Sequence, residues 1–409
     1  MRPRSGAGAI PSWLGWYMFL LPLGIPIFTY LVPADFCILV GMACSIAALW
    51  AGRQDGAGPA AERLVPRPGG FAPAASFLIA WIGFSCLGVL IPDHPDFFAF
   101  DFGSTIWVLL SALCIGYGLT DGDDADRAVR ELNKLFLPIL VFCIAGLATH
   151  WMGLDAWTGD VFSFRLYLPF RFPILLGAYL VTAYPFAVIW AGLPFKRRLV
   201  HEMLYLTVIS GIGARSCMIV AIGQVVWTEW NAVQDSPARL PRWLRFGVFL
   251  TAACSAGLVL STEFTFQRSF GVSGVEAFAK DMPRERQYER AFDHLPDWTT
   301  GIGLGCFKGR YGEELHNTPV NLLVETGIGG VLAAHAGVLA VFLPLIRRFR
   351  RMAEPWKTRV NALFCAGAGM YVLGLFHNLL RNRYVWLVLA LSVATSRAVT
   401  ASRKPGPPC

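Results

Sequence analysis

Apolar runs close to the length of a membrane crossing recur along this chain with short basic loops between them, and that leaves few folds open. A helix needs about 20 consecutive apolar residues to cross the hydrocarbon core of a bilayer. Runs of that kind stand near 12–32, 34–52, 72–92, 103–119, 135–154, 172–194, 246–262, 325–346, 360–377 and 384–396, and a further apolar block covers 199–230. Composition agrees, since 55% of residues are hydrophobic and only 15% charged, more apolar than a water-soluble domain tolerates. The segment Met1 to Gly8 carries Arg2 and Arg4 but no small-residue cleavage site in the usual place, so the first run is expected as a retained span.

Charge placement sets the expected topology. Basic loops occur at Arg53 to Arg67, Arg127 to Lys134, Lys196-Arg197-Arg198, Arg239 to Arg245 and Arg347 to Arg359, whereas Asp93 to Asp101 holds neither Lys nor Arg. By the positive-inside rule the basic set is cytoplasmic. Lys196-Arg197-Arg198 and Arg239 to Arg245 then lie on one side, so the block at 199–230 crosses an even number of times, as a hairpin. The expectation is an all-α, polytopic integral membrane protein of about twelve transmembrane helices with both termini inside. The net charge of +8 is accounted for by these topogenic residues, and nucleic acid is not an expected partner. The ten cysteines lie mostly inside apolar runs with no metal-ligand spacing, and Cys306 is the one expected extracytoplasmic thiol.

Arms of about 15 residues span about 23 Å, less than the roughly 30 Å of hydrocarbon, so the hairpin tip is expected below the outer surface. That tip reads Ser210-Gly211-Ile212-Gly213-Ala214-Arg215-Ser216. Arg215 either snorkels to the outer headgroups or meets an anionic partner in a watery cavity.

The longest polar segment, about Thr262 to Thr318, falls outside by the same parity and collects the polar residues. Ala277 to His294 reads as a helix with Met282, Arg286, Arg290 and Asp293 at helical spacing, Tyr288 and Phe292 on another face, and Pro296 as its stop. Gly301-Ile302-Gly303-Leu304-Gly305 lacks the strand–helix surroundings of a nucleotide loop and is expected as a turn. Leu315-His316-Asn317 closes the segment, where a polar loop meets the next apolar run with its Gly327-Ile328-Gly329-Gly330. Guanidinium forks match pyrophosphate oxygens, and an imidazole takes a proton near neutral pH, so Arg215, a loop arginine and His316 together suit group transfer from a lipid pyrophosphate. Read alone, His316 is equally an interfacial residue ahead of a helix that starts near Pro319. Asp281, Glu285, Glu289, Asp293 and Asp297 read as solvated faces or arginine partners. Glu313-Glu314 lacks metal-site spacing, and Glu325 stands nine residues after His316, at the start of a span.

Taken together, Gly213-Ala214-Arg215-Ser216, Arg284 followed by Tyr288, Leu295-Pro296 leading to Gly301–Gly305, and above all His316-Asn317 with Gly327 and Gly330 resemble the O-antigen ligase family. The motifs cover roughly 200–346. The resemblance implies a GT-C-like glycosyltransferase of the bacterial inner membrane with its site facing the periplasm. It would move O-antigen from undecaprenyl pyrophosphate onto lipid A-core by metal-independent, inverting transfer without a cofactor; twelve spans suffice for a closed cavity without a partner, so a monomer is expected. His316, Arg215 and Arg284 would be catalytic, with Arg286, Arg290, Asn317, Arg165 and Arg171 binding substrate. The family's loop arginine is normally followed by a Trp-like residue. Here only Tyr288 is available, so Arg284 is favoured and Arg286 stays open. His294, His377, Arg381 and Arg383 are further external candidates, the last three reading as an interfacial turn. O-antigen polymerase and protein O-oligosaccharyltransferase share the donor and the architecture. A flippase for the same glycan is the reading from another class, against which stands the lack of a repeat between 1–198 and 199–409.

The expected organisation is six spans over 1–198, three spans with the hairpin over 199–262, the periplasmic catalytic loop over 263–317, three spans over 318–396 and a cytoplasmic tail over 397–409. Gln54 to Gly70 reads as a linker.

Overall fold

The computed structural model describes residues 12–20, 79–85, 95–119, 122–151, 173–212, 214–234, 282–380 and 382–401, with a few single positions besides. Among these residues the regular structure is helical throughout. Helices α1 (Ser12–Leu20), α2 (Pro95–Gly118), α3 (Gly122–Asn133), α4 (Phe136–Trp151) and α5 (Pro173–Pro185) come first, and α5 runs on into a π turn at Phe186–Trp190. Next come α6 (Phe195–Ile212) and α7 (Arg215–Gln234), then α8 (Met282–Asp293) and the short α9 (Cys306–Tyr311). The chain closes with α10 (Thr318–Phe349), α11 (Trp356–Gly374) and α12 (Arg383–Ala401).

Local sequence accounts for several of these boundaries. Prolines open α2 and α5, where the missing N–H costs nothing and φ is already helical. In α3, Asp123 and Asp124 in the first turn and Arg130 in the last oppose the helix dipole, and Ala125, Ala128, Val129 and Leu132 bury one face.

Helix α5 is the hub, packed against α6, α7, α11 and α12. Glycines permit this closeness. A Cβ on Gly177 would stand 2.4 Å from Cys217 Sγ, and one on Gly369 would stand 2.6 Å from Gln224 Nε2. Buried tyrosines fill the centre: Tyr184 stacks on Tyr205 with ring centroids 4.4 Å apart. Their hydroxyls donate to Glu202 Oε1 and Gln224 Oε1, and Gln224 in turn donates to the Val181 carbonyl. Arg198 joins the arms of the α6–α7 pair, with Nε 2.5 Å from Glu229 Oε1 and 3.8 Å from Glu202 Oε1.

One end of the bundle gathers the basic loops. Asp126 of α3 pairs with Arg359 of α11 and accepts from Trp190 Nε1, while Asn133 donates to the Phe186 carbonyl. The Arg359 guanidinium lies over the rings of Trp190 and Trp356. The nineteen residues of α11 place its other end about 28 Å away.

Two stretches, Gly122–Thr149 and Thr318–Phe349, are long and apolar enough to cross a membrane, and Phe98–Ala112 and Ile174–Trp190 are shorter apolar helices. On α10 the residues Ile328, Leu332, Leu339 and Ile346 are all exposed and fall on one side of the helix. The expected twelve crossings are thus reached only in part among the described residues: the runs at 34–52, 72–92 and 246–262 fall largely outside them.

Two expectations change. Helix α2 starts at Pro95 rather than 103 and draws Asp101 into a buried position, so the acidic segment is not all loop. The hairpin helices are 18 and 20 residues long, about 27 and 30 Å, which removes the argument for a recessed tip. Their helical hydrogen bonding runs on past both edges of the apolar block, from Phe195 at one end and to Gln234 at the other, which an apolar-run count does not register.

Candidate functional site

The segment ahead of α10 is built onto a break in that helix. Gly327 takes φ 67°, ψ 179°, a backbone region closed to L side chains, and its neighbours turn to another partner. Residues 298–305 dock there. The Ile328 N–H donates to the Trp298 carbonyl at 2.7 Å, and the Ile302 and Gly303 N–H groups donate to the Val324 and Glu325 carbonyls, each at 2.9 Å. A Cβ on Gly301 would lie 2.5 Å from the Glu325 carbonyl oxygen. The buried Glu325 carboxylate accepts from the Gly305 N–H at 3.0 Å and from Asn321 Nδ2 at 2.9 Å. The glycine run is therefore a turn, as expected, and its amides serve α10. Glu325 holds that turn.

Around it the loop forms a small core of Ala291, Ile302, Cys306, Phe307, Leu315 and Val324. Cys306 is buried in that core. Arg290 donates to Glu313 Oε1 at 2.5 Å and lies over the Tyr311 ring at 5.0 Å, and Gln287 donates to Glu313 Oε2. His294 is buried, with Nδ1 3.1 Å from Asp297 Oδ2 and Nε2 3.0 Å from the Tyr311 hydroxyl. Lys308 pairs with Glu314 at 2.9 Å. Much of the loop's charge is thereby spent on holding the loop together.

At the start of α10 three parts of the chain meet. Asn317 is the N-cap, its Oδ1 accepting from the Val320 N–H at 3.0 Å, with proline in the first turn. Its Nδ2 donates to the Leu375 carbonyl at 2.9 Å. Thr318 Oγ1 donates to the His377 carbonyl at 2.7 Å and accepts from the Leu379 N–H at 2.9 Å. These bonds clasp the turn between α11 and α12 to the residues that follow His316. The His316 side chain is exposed, and its ring centroid lies 6.4 Å from that of His377, edge to face at 70°. His377 Nε2 is 2.8 Å from the Oγ of Ser216, a buried residue one position after the start of α7.

His316 and Asn317 thus share a site with the N-terminus of α7, which begins at Arg215 and lies at the end of the bundle opposite the basic loops. Arg284 stands in the first turn of α8, and the side chains of Arg215 and Arg284 lie outside the described residues. Arg286 is exposed on α8, and Arg290 is bound to Glu313. His294 belongs to the loop's own core rather than to the His316 site. Arg165, Arg171 and Arg381 lie outside the described residues, and Arg383 opens α12. Thr318 carries no motif that singles it out, and Ser216 stands in Gly213-Ala214-Arg215-Ser216 with no role assigned to it. His377, a further external candidate expected in an interfacial turn, stands between His316 and Ser216. No group of three His, Cys, Asp or Glu that could hold a metal occurs among the described residues.

The site adjoins an apolar chamber of about 450 Å³ between α10, α11 and α12. Trp81, Leu322, Phe342, Met370 and Trp386 are among its walls, together with Thr318 of the clasp. Chemically the arrangement offers an exposed imidazole, a helix N-terminus suited to anions and space for hydrocarbon within a few residues of one another. No family model matches the chain, and no curated protein matches it significantly.

Proposed function

We propose that the chain is an O-antigen ligase of the bacterial inner membrane, with about twelve spans and its site facing the periplasm. It takes undecaprenyl-pyrophosphate-linked O-antigen as donor and lipid A-core as acceptor. The observation that carries this reading is the meeting of His316 with the helix start at Arg215, through His377 and Ser216. The two candidates are a hundred residues apart in sequence, and a pyrophosphate transferase needs a proton acceptor and an anion site in one place. The apolar chamber beside Thr318 supports a lipid substrate, and the exposed apolar side of α10 supports a membrane setting.

In this scheme the acceptor hydroxyl oxygen attacks the anomeric carbon of the first O-antigen sugar. Its proton passes to the His316 imidazole as the new carbon–oxygen bond forms. The bond from the anomeric carbon to the phosphate oxygen breaks on the opposite face, and its electron pair leaves with undecaprenyl pyrophosphate. Arg215 and a loop arginine, Arg284 or Arg286, stabilise that charge. A single displacement inverts the anomeric centre.

The test is reconstitution of the purified protein with lipid-linked glycan and lipid A-core, followed by gel shift, beside His316→Ala. The expected outcome is transfer to lipid A-core by wild type and loss of about 10² to 10⁴ in rate in the variant, the range of a general base. Elongation of the lipid-linked glycan instead would identify a polymerase, transfer to an added protein acceptor an oligosaccharyltransferase, and movement across the bilayer without a new bond a flippase. Full activity of the variant would remove His316 from the chemistry.

A further inference from the structure

We propose that His377 is a positioning residue for His316, tying the imidazole at the start of α10 to the first turn of α7. The proposal rests on the reading of His316 as the proton acceptor and gives a role to His377, which the sequence offered only as a further external candidate in an interfacial turn.

The argument begins with how His316 is held. It lies one residue ahead of the N-cap and is exposed. An exposed side chain of this kind samples several rotamers, whereas a base must present one nitrogen to the incoming hydroxyl. The His377 ring lies beside it, edge to face at 6.4 Å between centroids, and limits the space open to it. His377 is itself fixed at both ends. Its carbonyl accepts from Thr318 Oγ1 at 2.7 Å, and its Nε2 lies 2.8 Å from Ser216 Oγ. The chain of contacts therefore runs from the residue after Arg215, through one imidazole, to the other.

The imidazole of His377 is not needed to build the turn it sits in. That turn between α11 and α12 is made by other groups. The Asn378 and Asn382 side chains accept from the Leu380 and Tyr384 N–H groups, and Trp386 Nε1 donates to the Leu380 carbonyl. The Asn317 and Thr318 bonds reach the backbone of residues 375, 377 and 379 and would survive loss of the ring. Removing the His377 side chain thus takes away the link between Ser216 and His316 and leaves the scaffold. A helix end and a base held in register by one bridging ring fit a reaction in which misplacement by about 1 Å can cost 10²-fold in rate.

Two readouts test this, and the first needs no substrate. Diethyl pyrocarbonate labelling of the full-length protein in detergent, resolved by mass spectrometry, gives the reaction rate of each histidine. His377→Ala is expected to change the His316 rate severalfold, while His201 and His335, which bond the Arg197 and Val331 carbonyls, keep theirs. His377→Gln, which keeps a hydrogen-bonding group toward Ser216 but no ring, is expected to restore the His316 rate in part. Ser216→Ala moves it in the same direction as His377→Ala, and the double variant adds nothing further because the two residues form one bridge. The second readout is transfer kinetics. His377→Ala is expected to lower kcat on the order of tenfold to a hundredfold with KM little changed, with partial recovery in His377→Gln. An unchanged His316 labelling rate in both His377→Ala and Ser216→Ala overturns the proposal, and so does unchanged kcat. Should wild type transfer glycan to no acceptor while the labelling changes still follow this pattern, the ligase reading fails and the bridge between the two histidines stands.

Discussion

Gly327 concentrates the demands placed on single residues here. Its φ of 67° with ψ of 179° is open to glycine alone, and a Cβ would lie 2.6 Å from the Thr299 carbonyl oxygen. Backbone strain of that kind costs about 1 to 3 kcal/mol before the clash is counted. Gly327→Ala is therefore expected to lower the thermal midpoint in detergent and to loosen residues 298–305, whose N–H groups bind across the break. Gly146→Ala is the control, since it lies within α4 with nothing within 4 Å of a new Cβ. Equal midpoints for the two variants would show that the break does not depend on glycine. The sequence made the importance of this residue legible through its distance from His316, and the reason lies elsewhere. Gly327 and Gly301 face each other across two backbones, and a contact between residues 26 apart is written in neither local pattern. The same holds for Glu325. Its place at a span edge was visible, whereas its two hydrogen-bond donors come from the turn and from one helical turn earlier.

At the scale of elements, the α6–α7 pair is held by charges in a place where charges are costly. Glu202 and Glu229 are buried, and Arg198 stands between them from the start of α6. Breaking a buried ion pair by removing one partner costs roughly 3 to 5 kcal/mol, because the surviving charge loses its counter-ion. Arg198→Met is thus expected to destabilise the pair of helices strongly, read as a fall in thermal midpoint and in monodisperse yield. Adding Glu202→Gln and Glu229→Gln to that variant removes the stranded charges and is expected to recover most of the loss. A triple variant no better than Arg198→Met would locate the effect in packing instead. Charge bookkeeping between basic loops was enough to expect a helical pair over 199–230, because parity needs only the signs of the flanking residues. It misjudged the lengths, since the helices continue through Phe195 to Arg198 at one end and Asn231 to Gln234 at the other, mostly polar turns beyond the edges of the apolar block. The helix expected at 277–294 was legible for the ordinary reason of periodicity followed by proline, and α8 covers Met282–Asp293 of it. What periodicity could not assign was the use of its arginines: Arg290 serves Glu313 and Tyr311, which are set in place by the fold of the loop after it.

Across the whole molecule, polarity from one end to the other is the property on which the proposed chemistry depends. Asp126, Trp190 and Arg359 tie three basic segments together at one end of α11, and His377 follows its other end. If α11 crosses the bilayer, the residues near Lys196 and Lys357 face the cytoplasm, while His316 and α8 face outward. The length of α10 fits this arrangement. The 22 residues from Ile328 to Phe349 span about 33 Å, close to the roughly 30 Å of hydrocarbon, and the break at Gly327 sets the first turns apart as part of the external layer. Single cysteines in place of Lys196, Arg286 and Lys357, three positions well outside the packed core, turn this into a measurement. A membrane-impermeant maleimide is expected to label Arg286→Cys in intact spheroplasts and to reach Lys196→Cys and Lys357→Cys only after permeabilisation. The native cysteines give the background, which the unsubstituted protein measures. Labelling of all three from one side would mean that the chain crosses the bilayer an even number of times, zero included, between each pair, against the odd numbers expected. Labelling of Lys196→Cys and Arg286→Cys from outside with Lys357→Cys protected would show an even number of crossings between 196 and 286 instead of the expected three, and would put the basic segment at 196–198 on the same face as His316. Only the first pattern leaves a lipid-linked donor and its acceptor on the side where the imidazoles stand.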